Sequence, residues 1–119
     1  MELQPVGETA EVVAPSPDAA LDDVVRCRAC RHELTTRGAA ISVDGAHTHT
    51  FRNPDGWSFL VACFREAPGV AADGPLTGEA TWFAGYRWRF ALCGGCGGQL
   101  GWWYVSGSTF VGLIATRIA

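Results

Sequence analysis

Residues 93–96 read Cys93-Gly94-Gly95-Cys96, and residues 27–30 read Cys27-Arg28-Ala29-Cys30. Each C-x-x-C turn presents two thiolates at a spacing that suits the tetrahedral coordination of Zn²⁺. The long interval between the two turns indicates that a shared metal ion would join two sheets that are far apart in sequence. Because four thiolates leave no open coordination position, we expect a structural zinc ion held by Cys27, Cys30, Cys93 and Cys96.

Two disulfides or a redox dithiol are the alternatives for these four cysteines. The chain opens Met1-Glu2-Leu3-Gln4-Pro5, without the basic and apolar regions of a secretory signal, and no window holds the roughly 20 apolar residues of a membrane span. We therefore expect a cytoplasmic protein with reduced thiols, which favours metal over disulfides and excludes a membrane partner. The fifth cysteine, Cys63, ends an apolar run, where a buried free thiol is the ordinary interpretation.

Outward from the cysteines, short apolar runs separated by turn residues are typical of β-strands. The predicted strands are residues 39–43, 48–52, 58–63, 88–92, 100–105 and 111–115. Between them, segments such as Asp44-Gly45, Asn53-Pro54-Asp55-Gly56 and Asp73-Gly74-Pro75 are predicted turns. A helix is expected at most near residues 22–26 or near the C-terminus. The pattern predicts a mainly antiparallel β domain.

The composition fits one folded domain preceded by an acidic tail. Of the 119 residues, 1–22 are rich in Pro, Glu, Ala and Val without periodicity, which predicts a flexible tail before a domain at 23–119. Every basic residue is Arg, which excludes Schiff-base lysine chemistry and the lysine of a phosphate-binding loop. The nine Arg residues are scattered rather than arranged in a stripe, so we expect no nucleic-acid partner.

Aromatic residues cluster on both sides of the second cysteine pair, in residues 82–88 and 102–104. If residues 93–96 form the tip of a hairpin, Trp88 and Trp102 lie near each other on neighbouring strands, and a turn at Gly85 can fold Trp82 back beside them. Trp102 and Tyr104 share one face of a strand because they are two residues apart. Three indoles and a phenol could therefore surround a small cavity, although spacing alone favours a filled core.

The combined pattern resembles the CULT domain family, the ligand-binding domain of cereblon and of small single-domain bacterial relatives. The resemblance covers residues 24–119 and implies a β-tent fold, in which two antiparallel sheets are pinned at a Cys₄ zinc site. The motifs that carry it are Trp82-x-x-Gly85-Tyr86-x-Trp88, Cys93-x-x-Cys96 and Gly101-Trp102-x-Tyr104, with Cys27-x-x-Cys30, Asn53-Pro54-x-Gly56 and Gly112-Leu113 in support.

The resemblance also implies a non-catalytic site for the glutarimide ring of thalidomide-type compounds. Uridine-like rings and peptides that end in a C-terminal cyclic imide share the same imide edge. Three Trp would form the walls and one Tyr the floor or the fourth side. Backbone groups just before the first Trp would bond the imide, and the Asn-Pro turn would close the rim. The implied ligand-binding residues are Asn53, Pro54, Ala80, Thr81, Trp82, Trp88, Trp102 and Tyr104.

The sequence departs from the family pattern at two positions of the implied pocket. Many animal members have His where this chain has Ala80, and Pro is common where it has Ala84. The first contact is largely main-chain in the family, so we expect the pocket to persist, with a looser turn between Trp82 and Trp88. The chain holds no match to the region through which animal members join a ubiquitin ligase, so we expect no such partner.

Three other functions stay open from the sequence alone. An aromatic cage also suits a methylammonium cation, for which Glu79 is the nearby acid. A thiol enzyme similar to the zinc-containing methionine sulfoxide reductases would use Cys63, but the catalytic sequence context of that family is missing. A zinc ribbon that binds nucleic acid is the third. His47 and His49 share a strand face, but no nucleophile or carboxylate accompanies them, so we expect solvated or hydrogen-bonded roles.

Overall fold

Residues 23–119 are described by a computed structural model, and the predicted tail at residues 1–22 lies outside them. The strands are β1 Val24–Arg26, β2 Glu33–Thr36, β3 Thr48–Arg52, β4 Ser58–Phe64, β5 Val70–Thr77, β6 Arg87–Cys93, β7 Gln99–Val105 and β8 Thr109–Ile114. Two short 3₁₀ helices span Arg37–Ala39 and Ala115–Arg117. Within the described range, no helix has both the length and the apolar character needed to cross a membrane.

The strands form two antiparallel sheets. Strands β1 and β2 make a two-stranded sheet, and the other six strands lie in the order β3-β4-β8-β7-β6-β5. Cys27 directly follows β1 of the small sheet, and Cys93 ends β6 of the large sheet. The prediction of a mainly β fold with two antiparallel sheets is confirmed, as is the prediction that residues 93–96 form the tip of a hairpin.

Two turns next to strand β3 have the backbone conformations that their residues favour. Asp44 and Gly45 have φ values of 51° and 88°, the left-handed pair that an Asp-Gly hairpin turn favours. Between β3 and β4, the side-chain oxygen of Asn53 accepts a hydrogen bond from the backbone N–H of Trp57 at 2.9 Å. The backbone oxygen of Asn53 accepts another from Gly56 at 2.9 Å. These bonds fix the Asn-Pro turn at the end of the hairpin.

Side chains alternate along the large sheet into two buried clusters. On β7, Trp103 packs against the cluster that contains Leu34 and Leu113, which draws residues from both sheets. Trp102 and Tyr104 instead belong with the cluster around Phe83, which is mostly aromatic. The predicted division of Trp103 from Trp102 and Tyr104 is therefore confirmed, and the aromatic cluster supplies the candidate site.

Strands β7 and β8 approach each other closely at two glycines. A Cβ atom on Gly101 would lie 1.9 Å from the backbone oxygen of Gly112, which no side chain tolerates. A Cβ atom on Gly112 would lie 2.5 Å from Val61 Cγ1 and 3.2 Å from Tyr104 Cε2. The absence of side chains at these positions lets the two strands pair and leaves space over Gly112 for the Tyr104 ring.

The predicted strand at residues 39–43 is wrong. Ala39 ends a 3₁₀ helix, and Ala40 and Val43 make only isolated bridges. The apolar residues there are accounted for by packing instead, since Ala39 is buried and Ile41 packs against the aromatic cluster. An apolar run of strand length therefore gave a false signal, because its residues are buried without the continuous pairing of a strand.

Three strands were not predicted. The suggested helix near residues 22–26 is wrong over Val24–Arg26, which form β1 and pair with β2. The predicted turn Asp73-Gly74-Pro75 lies inside β5, where the pairing with β6 shifts register between Asp73 and Thr77. An edge strand accommodates Gly and Pro through such an irregularity, so residues typical of turns concealed the strand.

Candidate functional site

The four paired cysteines converge between the two sheets. Their Sγ atoms all lie within 4.8 Å of one another. Cys27 Sγ is 3.9 Å from Cys96 Sγ, and Cys30 Sγ is 3.5 Å from Cys93 Sγ. Four sulfurs bound at the usual zinc distance would be about 3.8 Å apart in a tetrahedron, so this cluster has the dimensions of a zinc site. All five cysteines lie in the described range and none forms a disulfide.

The second cysteine turn is built to hold a thiolate. The backbone N–H groups of Gly95 and Cys96 donate to Cys93 Sγ at 3.3 and 3.5 Å. Burial raises the pKa of Cys93, but these donors and the neighbouring thiols outweigh it and bring that pKa down to about 7. Metal binding requires deprotonated thiols, so the donor set and its hydrogen bonds fit a metal ion such as zinc.

A cavity of about 270 Å³ opens on the aromatic face of the large sheet. All three Trp residues of the predicted cage contribute to its wall, and none of the described side chains that line it is charged. The rings thus border an open space rather than filling a core. The lining residues are Asn53, Pro54, Phe59, Ala80, Trp82, Trp88, Phe90, Gln99, Trp102 and Tyr104.

Two of the indoles form a corner of the cavity. Trp82 and Trp102 meet edge to face with ring centroids 4.8 Å apart and planes at 78°. Phe51 stacks on Trp82 at 4.8 Å with planes only 11° apart, and Phe59 meets Trp102 at 5.5 Å. Because each indole contacts a second ring, its orientation is restrained before any ligand arrives.

The third indole, Trp88, is held by different contacts. Its Nε1 donates to the backbone oxygen of Glu79 at 2.7 Å, and its ring packs on Phe90 at 5.4 Å. In the large sheet Trp88 is paired with Tyr104 and Phe90 with Trp102, so Trp88 and Trp102 are diagonal neighbours. The predicted proximity of these two residues on adjacent strands is confirmed.

The loop between β5 and β6 carries Ala80 and Trp82, which line the cavity. Ala80 has φ 54°, a left-handed conformation that costs a non-glycine residue roughly 1–2 kcal/mol. The N–H of Thr81 donates to Gly78, and its hydroxyl donates to the backbone oxygen of Phe83 at 3.3 Å. The backbone oxygen of Ala80 and the N–H of Trp82 bond to no other described residue, which leaves both groups for a ligand.

Seven of the eight predicted ligand-binding residues line this cavity, and Thr81 does not. That these residues bind a ligand stays a prediction. Sequence reasoning missed three lining residues. Phe59 is only half-buried. Phe90 shares a strand face with Trp88, two residues earlier, so the alternation of side chains along the strand could have indicated it. No sequence pattern indicated that Gln99 lines the cavity, because the register of its pairing depends on an irregularity between Ala91 and Leu92 of the neighbouring strand β6.

The leftover thiol and the histidines have structural surroundings. Cys63 is fully buried, and burial, together with the charge of Asp44, raises its pKa to about 11. A protonated and inaccessible thiol is a poor nucleophile. His47 Nδ1 lies 3.1 Å from the backbone oxygen of Ile41, and His49 Nε2 lies 3.0 Å from that of Ala46. Each imidazole ring therefore lies within hydrogen-bond distance of a nearby backbone oxygen.

No protein-family model matches this chain. Among curated proteins, cereblon of Gallus gallus is 30% identical over 78 residues, which cover 64% of this chain and 18% of cereblon. The aligned segment thus spans about a fifth of that relative's length. Together with the four-cysteine cluster, the match supports a relation to a cereblon-like domain.

Proposed function

We propose that this chain is a non-catalytic binding domain that holds a cyclic imide in the cage of Trp82, Trp88 and Trp102. Glutarimide and thalidomide-type compounds, uridine-like rings and peptides with a C-terminal cyclic imide share the required edge. The observation that carries the proposal is an open cavity whose wall includes three indoles and Ala80, where the backbone oxygen of Ala80 and the N–H of Trp82 bond to no other described residue. The similarity to a segment of cereblon supports it.

The charge of the wall favours a neutral ligand. None of the described side chains that line the cavity is acidic, and Glu79 is not among them. The backbone oxygen of Glu79 already accepts a hydrogen bond from Trp88 Nε1. A methylammonium cage gains from a nearby carboxylate as well as from ring faces, so this cavity suits a neutral flat ring better than a cation.

The remaining interactions match an imide. The backbone oxygen of Ala80 can accept the imide N–H, and the N–H of Trp82 can donate to an imide carbonyl, since neither group bonds to another residue in the described part of the chain. Each neutral hydrogen bond contributes about 1 kcal/mol net, and burial of apolar ring surface adds about 25 cal/mol per Å². A ligand with so few atoms should bind with a Kd on the order of micromolar.

The zinc site serves this pocket indirectly. We propose that zinc, held by Cys27, Cys30, Cys93 and Cys96, pins β1 of the small sheet to the tip of the β6–β7 hairpin, on which Trp88 and Trp102 lie. With four protein thiolates it would stabilise the fold without entering chemistry. We further propose that the protein acts in the cytoplasm without a ubiquitin ligase, nucleic-acid or membrane partner.

Intrinsic tryptophan fluorescence tests the proposal, because three of the five Trp residues line the cavity. We expect a saturable change on titration with thalidomide, and loss of that change in the variants Trp82→Ala, Trp88→Ala and Trp102→Ala. The matched control is Trp57→Ala, since Trp57 is 69% exposed and does not line the cavity. No response at millimolar thalidomide in the zinc-loaded wild type would overturn the proposal.

A further inference from the structure

Two rings of strand β3 stand behind the wall of the cavity. His49 and Phe51 are two residues apart on this strand, so their side chains share one face of the sheet. The cavity opens on that face, because Phe51 is paired with Phe59, which lines the cavity. Neither His49 nor Phe51 lines the cavity itself. Each can therefore influence a ligand through a neighbour that does.

The rings of His49, Phe51 and Trp82 are stacked in series. His49 stacks on Phe51 with ring centroids 5.5 Å apart and planes only 3° apart. Phe51 in turn stacks on Trp82 at 4.8 Å, with planes 11° apart. The face contacts are thus continuous from His49 to the cavity wall. A ring that turned out of this arrangement would lose the face of its neighbour.

A buried ring supports the stack from the core. Phe83 is only 1% exposed and meets His49 edge to face, with centroids 5.1 Å apart and planes at 81°. It meets Phe51 in the same manner, at 5.1 Å and 78°. Because side chains in a packed core have little room to move, these edge contacts restrain both rings of β3.

The polar edge of His49 is satisfied by a neighbouring turn. Its Nε2 lies 3.0 Å from the backbone oxygen of Ala46. A carbonyl oxygen accepts hydrogen bonds and cannot donate them, so Nε2 carries the proton and donates. Ala46 directly follows the Asp44-Gly45 turn, and its oxygen also accepts the N–H of Val43 at 2.9 Å. The half-buried imidazole can therefore present its face to Phe51 without leaving this N–H unpaired.

We infer that His49 is a positioning residue of the cage. Its ring face holds Phe51, and through Phe51 it holds Trp82, in the orientation that the cavity requires. This inference rests on the proposed function, and it adds a residue that belongs to neither the sequence motifs nor the cavity wall. A ligand that packs on Trp82 then meets an indole that is already oriented, so less conformational freedom is lost on binding.

Calorimetric titration of the zinc-loaded protein with glutarimide tests the role of His49. His49→Phe keeps an aromatic face, so its Kd should stay within about twofold of the wild-type value. His49→Gln keeps a hydrogen-bond donor but has no ring, so its Kd should rise about two- to fivefold, the lower part of what one aromatic pair supplies.

The matched control is His47→Gln. His47 Nδ1 also lies near a backbone oxygen, that of Ile41 at 3.1 Å, but its ring contacts Phe64 in the other buried cluster. We expect this variant to bind glutarimide with the wild-type Kd. The tryptophan bands of the near-ultraviolet circular dichroism spectrum report ring orientation in the free protein. They should change in His49→Gln and keep the wild-type shape in His49→Phe and His47→Gln.

The outcomes distinguish this inference from the function on which it rests. If His49→Gln binds glutarimide as the wild type does, or if His49→Phe binds as weakly as His49→Gln, the role of His49 is refuted while the imide site stands. Equal losses of affinity in His47→Gln and His49→Gln would refute it too, since the effect would then be general destabilisation. If the wild type does not bind glutarimide at millimolar concentration, the imide site is refuted and the role of His49 with it.

Discussion

Trp82 and Trp102 stand almost perpendicular, with ring centroids 4.8 Å apart and planes at 78°. Trp82 lies on a loop and Trp102 in the middle of β7, so this corner joins an irregular segment to the sheet. Phe51 of β3 stacks flat on Trp82 and holds it from the neighbouring hairpin. The shape of the cavity therefore depends on a residue that does not line it.

Phe51→Leu should weaken glutarimide binding although the side chain does not touch the cavity. An aromatic pair contributes about 0.5–1.5 kcal/mol beyond burial, so loss of the stack should raise the Kd roughly two- to tenfold by freeing Trp82. Isothermal titration measures this. Phe64→Leu is the control, because Phe64 is buried in the other cluster. Equal affinity losses in the two variants would show that the effect is general destabilisation.

Zinc removal should unfold the domain rather than merely empty a site. We expect one zinc ion per chain by elemental analysis, and loss of native circular dichroism when a strong chelator removes it. Cys93→Ser should lose both zinc and fold, whereas Cys63→Ser should keep both, because Cys63 lies apart from the cluster. A folded, metal-free Cys93→Ser protein would contradict the structural role of the metal.

Gly101→Ala should destabilise the protein by about 3 kcal/mol or more. Its Cβ would collide with the backbone oxygen of Gly112, and a backbone atom cannot move aside as a flexible side chain can. Gly107→Ala, at a turn with open space around the new Cβ, should change stability by less than about 0.5 kcal/mol. Urea unfolding measures both, and similar midpoints for the two variants would argue against the close approach of β7 and β8.

Cys63 should resist alkylation in the native protein. Its raised pKa of about 11 lies above pH 8, so the thiolate fraction at that pH is about two orders of magnitude lower than for an ordinary cysteine. Burial blocks access as well. Mass spectrometry after iodoacetamide treatment of the zinc-loaded protein should find Cys63 unmodified until denaturant is added. Rapid labelling of native Cys63 would reopen the thiol-enzyme alternative.

Local chemistry explains what the sequence could predict. The paired Cys spacing predicted the four-cysteine cluster, and alternation along β7 predicted that Trp102 and Tyr104 face away from Trp103. Turn residues such as Asp44-Gly45 were also informative, since their backbone preferences do not depend on the rest of the fold.

Features that depend on tertiary packing were missed. Strand β5 contains Gly74 and Pro75, and its pairing with β6 is interrupted between Asp73 and Thr77, so this strand is recognisable only from its pairing on either side of the irregularity. Gln99 reaches the cavity because of a register shift that no local pattern announces. The contact between Phe51 and Trp82 joins two hairpins, so no spacing rule within either one could predict it.

Calorimetric titration of the zinc-loaded protein with glutarimide, N-methylglutarimide and choline tests the central claim most directly. The cage and its backbone groups predict saturable one-to-one binding of glutarimide with a Kd on the order of micromolar. They also predict little or no binding of N-methylglutarimide, which lacks the imide N–H, or of choline, since no described residue of the wall is acidic. No heat with millimolar glutarimide, or equal affinity for its N-methyl derivative, would contradict the account.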